Sequence, residues 1–140
     1  MSEAYLRGVI VAHASLASAL AAATRQISGC DEEALRAISN EGRGPDQLLD
    51  LVREATGDAP VVIFTDLSSG SCAFAARKFA FERPATAVVS GVNLPLLLDF
   101  VFHRDLPLHT LVDRLVEKGR GGISGICTEE TVRADRALSR

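Results

Sequence analysis

"APVVIFTDLSSGSCAFAARKF", residues 59–79, decides the fold. From Val61 to Phe64 the run is apolar without alternation, the pattern of a central strand in a parallel sheet whose two faces are both covered. Asp66 ends that run. Ser68, Ser69, Gly70 and Ser71 gather behind it, and over 69–82 apolar residues return at helical spacing. Asp and Ser are ordinary turn and cap residues, so the cluster reads either as punctuation or as a site for a phosphoryl group.

The same strand-then-helix unit recurs outward from this stretch. "LRGVIVAH" (6–13) is a β-branched apolar run, and "SLASALAAATRQIS" (15–28) follows it as a helix behind a serine. "ALRAIS" (34–39) reads as a short strand and "NEGRGPD" (40–46) as a loop, while "DQLLDLVREATG" (46–57) forms a helix stopped by Gly57. On the other side, "TAVVSG" (86–91) is a strand, and 93–104 and 107–119 are consecutive helices, the second opening on Pro107. "GGISGICT" (121–128) reads as a last, glycine-broken strand. This alternation predicts one α/β domain over 1–128, an open, doubly wound, mainly parallel sheet with helices on both faces, for which the order 2-1-3-4 is taken. Residues 129–140 read as a polar tail.

Composition narrows the function. At 140 residues the chain suits one domain, and 47% hydrophobic with 24% charged residues argues against disorder. No apolar run reaches membrane length and no signal peptide is legible, so a cytoplasmic protein is expected. A net charge of −3 with scattered basic residues and no Trp argues against a nucleic-acid surface. Cys30, Cys72 and Cys127 are spaced unlike a disulfide framework or a metal motif and read as reduced thiols, Cys72 as a small buried hydrophobe. His103 and His109 lack metal-ligand spacing, and there is no glycine-rich nucleotide cradle, so neither a metal nor a cofactor is expected.

In open α/β sheets ligands sit beyond the carboxyl ends of the strands. With strand order 2-1-3-4, His13 after the first strand and Asp66 after the third are neighbours. A carboxylate accepting the Nδ1 proton fixes the imidazole tautomer and leaves Nε2 a free lone pair, as a nucleophilic histidine needs. The backbone N–H groups that open the next helix, with the hydroxyls of Ser69 and Ser71 and the turn at Gly70, form an anion site suited to phosphate.

At these residues the chain resembles the mannose-family IIA components of the bacterial phosphoenolpyruvate-dependent sugar phosphotransferase system. "GVIVAHASLASAL", "VVIFTDLSSGSCAFAA" and "AVVSGVNLPLLLDFVFHRD" fall in the family's order across roughly residues 6 to 125. The resemblance implies a phosphotransferase acting as a relay carrier, with His13 the phosphorylated residue, Asp66 its orienting carboxylate and Ser71 the phosphate-holding serine. It implies a phosphoryl donor, the histidine-containing phosphocarrier protein, a IIB acceptor, and indirect membrane association through the transporter. It also implies a homodimer, in which "GGISGICT" is a candidate edge strand, antiparallel and exchanged between subunits. Two features depart from the family: Ala14 stands where glycine usually follows the histidine, and "SSGSC" replaces a G-G-S-P turn. The phosphotransfer subunit of dihydroxyacetone kinases and a regulatory module sensed through its phosphorylation state are the alternatives, and the G-V-N-L-P block favours the mannose family.

Overall fold

The structure, a computed structural model, describes residues 5–129. Strands β1 (Arg7–Ala12), β2 (Leu35–Ser39), β3 (Val61–Thr65) and β4 (Thr86–Ser90) form one sheet in the order β2-β1-β3-β4, with all three pairings parallel. Parallel neighbours require crossovers, and helices supply them: α1 (Leu16–Ser28), α2 (Pro45–Thr56), α3 (Ser71–Glu82), then α4 (Leu94–Phe102) and α5 (Leu108–Gly121) after the last strand. The expected α/β class and strand order are therefore the observed ones.

The two-residue period of the strands divides the core in two. Ile10, Ala12, Val62 and Phe64 face α1, α4 and α5, while Val9, Val11, Val61 and Ile63 face α2 and α3. All eight side chains are fully buried, which is why neither β1 nor β3 shows a polar alternation in its sequence. Phe64 meets Phe100 of α4 edge to face, with ring centroids 5.1 Å apart.

The segment "GVNLP" is a joint. Backbone N–H groups of Gly91 and Val92 both donate to Thr65 O at the end of β3. Asn93 then caps α4 by accepting from Leu96 N, and its side-chain amide donates to Gly119 O near the end of α5. Arg114 of α5 adds a two-pronged pair to Asp99 of α4, at 2.8 and 3.1 Å. The element after β4 is thereby fastened to the residue that precedes Asp66.

Helix α5 continues through Gly119 to Gly121 and takes up the first residue of the expected last strand. Residues 123–128 carry no regular structure in the single chain, and Ile123 and Ile126 are exposed. Most of the expected polar tail, from residue 130 on, lies outside the described residues.

Candidate phosphoryl-acceptor site

Val11 of β1 pairs with Thr65 of β3, so the chain leaves the sheet with His13 and Asp66 side by side. His13 Nδ1 lies 2.8 Å from Asp66 Oδ2, and the His13 backbone N–H donates to the same oxygen at 3.0 Å. Leu67 N donates to the other carboxylate oxygen at 3.0 Å. An ionised carboxylate only accepts, so the contact places a proton on Nδ1. His13 Nε2 has no hydrogen-bond partner among the described residues, and the His13 side chain is 43% exposed against 11% for Asp66.

Burial opposes the charge on Asp66, but the backbone and side-chain hydrogen bonds from His13 outweigh it and hold the carboxyl below its usual range. Asp66 is thus built to stay ionised. His13 is held by two bonds to one carboxylate oxygen, one from its backbone N–H and one from its imidazole, a narrower constraint than either alone.

The loop after His13 is clamped by the end of β2. Asn40 Oδ1 accepts from Ala14 N, Ser39 Oγ donates to Ala14 O, and Asn40 N donates to Ala12 O. These bonds hold Ala14 at φ +51°, a left-handed conformation that costs an L-residue about 1–2 kcal/mol. A glycine would adopt it freely, which gives a physical meaning to Ala14 as a departure. Ser39 and Asn40 escaped the sequence reading, where they were the end of a strand and the start of a loop; a polar pair at a strand's carboxyl end was the available signal.

Behind Asp66, Ser69 is exposed, Gly70 is the residue before α3 with φ +93°, and Ser71 is the first helical residue and half-buried. No side chain caps the start of α3, so the serines are not cap residues for this helix. The opening N–H groups of α3 have no intrahelical acceptors and remain available to an anion.

Cys72, the second residue of α3, is almost wholly buried, as its apolar spacing predicted. The structure adds what it is buried against: ligand atoms of Cys72, His13 and Asp66 all lie within 4.8 Å of one another. Burial pushes the Cys72 thiol up and the Asp66 carboxylate adds to this, while a hydrogen bond from Ser71 works in the opposite direction.

Residues 8–118 match the family described as PTS system fructose IIA component, EIIA-man. The chain belongs to the EIIA-man family. No curated protein matches it by sequence. Among solved structures, it is similar to phosphotransferase system component EIIA from Streptococcus agalactiae, with TM-score 0.80 and 22% identity, covering 86% of this chain and 96% of that one. A mannose/sorbose specific IIA subunit from Enterococcus faecalis superposes with TM-score 0.77 at 21% identity, covering 90% and 98% of the two chains. The PTS IIA protein associated with the fucose utilization operon of Streptococcus pneumoniae gives TM-score 0.72 at 20% identity, covering 86% and 93%. At these identities the structural likeness establishes the fold, and the EIIA-man match establishes membership of a phosphotransferase-system family. No helix among the described residues is long and apolar enough to cross a membrane.

Proposed function

We propose that the chain is a phosphoryl carrier of a sugar phosphotransferase system, taking phosphate on His13 from the histidine-containing phosphocarrier protein and passing it to a IIB partner. The contact that carries this reading is His13 Nδ1 to Asp66 Oδ2 at 2.8 Å. With the Nδ1 proton held by Asp66, Nε2 attacks phosphorus. A P–N bond forms there as the P–N bond to the donor's imidazole breaks, and that imidazole leaves with the electron pair. Transfer to IIB is the same exchange in reverse. The transition state of phosphoryl transfer is loose, so in-line placement and charge stabilisation are the protein's main tasks.

Ser71, with the backbone of Ser69 and Gly70, is assigned to the equatorial phosphate oxygens. The surroundings suit a macromolecular donor and acceptor. Grooves of about 460, 380 and 320 Å³ are lined by other residues, whereas exposed Leu16, Leu67 and Phe74 belong to the segments that follow His13, Asp66 and Gly70. Apolar side chains beside a shallow polar centre fit protein docking. We assign the chain to the cytoplasm, where its proposed partners act, and to a homodimer in which 123–128 pairs with a second copy.

Incubation with phosphoenolpyruvate, enzyme I and the phosphocarrier protein should place one acid-labile, base-stable phosphoryl group on each chain. His13→Gln should abolish it, and retention of the label would sink the assignment. Ser71→Ala should slow labelling at nearly unchanged thermal stability. Lost stability with full transfer rate would instead make Ser71 structural.

A further inference from the structure

We propose that His13, Asp66 and Cys72 form a binding site for a thiophilic divalent cation of the zinc type, and that this ion and the phosphoryl group exclude each other. The second clause rests on His13 being the phosphoryl acceptor. The first does not.

One imidazole nitrogen, one sulfur and one carboxylate oxygen are a donor set for zinc, whereas magnesium and calcium prefer oxygen alone. The three residues come from separate points of the chain: the β1–β3 pairing brings His13 and Asp66 together, and the packing of α3 on those strands adds Cys72. Their ligand atoms lie within 4.8 Å of one another. Ligands on a tetrahedral zinc at its usual bond lengths stand about 3.3–3.6 Å apart, so side-chain rotations of about an ångström complete the site.

Exposure is graded in the sense an open site needs. Cys72 is 1% exposed, the Asp66 side chain 11% and the His13 side chain 43%, so three ligands sit below and a fourth position opens to solvent. Thiolate and carboxylate together carry two negative charges against the ion's two positive ones. The ion takes the place of the thiol proton, which leaves to solvent. Outer contacts are already present: Leu67 N and His13 N donate to the Asp66 carboxylate. Exclusion follows from electron count, since a neutral imidazole has one lone pair and its other nitrogen carries the proton. Given to the ion, that pair is not available to phosphorus.

The test uses the full chain with cobalt(II), whose bond to a thiolate gives a near-ultraviolet charge-transfer band, and zinc as competitor. One equivalent of cobalt per chain should raise the band, and zinc should remove it. Cys72→Ala should abolish it and Cys127→Ala should leave it. His13→Ala alters an exposed side chain and guards against a Cys72 variant that fails to fold; it should weaken cobalt affinity at least about tenfold. Zinc at saturation should slow labelling by purified phosphorylated phosphocarrier protein at least about tenfold, judged as the ratio of rates with and without metal. No thiolate band, or a band indifferent to Cys72→Ala or His13→Ala, overturns the site. A band with no slowing by zinc overturns the exclusion. Absence of labelling without metal overturns the carrier reading and leaves the cobalt result to judge the site independently.

Discussion

At the scale of the residue, Asp66 accepts two bonds from His13 and has a lowered pKa, so the proposed orienting role and a contribution to stability as an anion can be tested separately. Asp66→Asn keeps the volume but presents an amide that can turn its NH2 toward Nδ1 and favour the wrong tautomer. Phosphoryl transfer to His13 should therefore slow while circular dichroism stays native, and an unchanged rate would leave Asp66 a turn residue. The pH dependence has a fixed sign. A carboxyl whose folded pKa lies below its unfolded value, about 3.9, stabilises the fold above that value and loses the contribution as pH falls through the lower, folded one. The difference in urea midpoint between wild type and Asp66→Asn should accordingly be greatest above about pH 4 and shrink on acidification. A difference constant down to pH 2 would contradict the depressed pKa.

At the scale of the element, β1 lies close beneath α4 because Gly8 has no Cβ. An added Cβ at Gly8 would stand 2.7 Å from Phe100 Cε2 and 2.9 Å from Leu35 Cδ1, and both of those residues are fully buried. Neither side chain has open space to retreat into. Gly8→Ala should cost about 1–3 kcal/mol in urea unfolding, the usual range for an overpacked core, while the distant His13 contact survives. Stability equal to wild type would mean that α4 shifts outward freely, against its fastening by Asn93 and the Asp99–Arg114 pair.

At the scale of the whole molecule, the segment after α5 is the part that the single chain does not account for. Ile123 and Ile126 are 76% and 75% exposed on backbone without regular pairing, and β4 is an edge of the sheet. Edge strands invite a partner strand, and burying the two isoleucines across a dimer would favour it. Sedimentation of the full chain should give a dimer. A chain ending after Gly122 keeps all of α5 and should be monomeric; if it stays dimeric, the segment is not the interface.

Local periodicity was enough for the α/β class and for placing His13 and Asp66 at the carboxyl ends of two strands, whereas their meeting rested on the order 2-1-3-4, which the β1–β3 pairing bears out. Val61 to Phe64 had to be a covered strand, because no polar residue interrupts it. What only the tertiary structure decided depends on which surfaces touch. Gly119 read as the end of a helix and Gly121 as the start of a broken strand, yet α5 runs on through Gly121. An added Cβ at Gly119 would lie 2.9 Å from Leu96, and one at Gly122 2.7 Å from Pro95. Those glycines answer to the close approach of α4 and α5, which no local pattern records. Cys72 is the same case. Helical spacing showed that it is buried, but only the packing of α3 against β1 and β3 showed that its sulfur borders the His13–Asp66 pair.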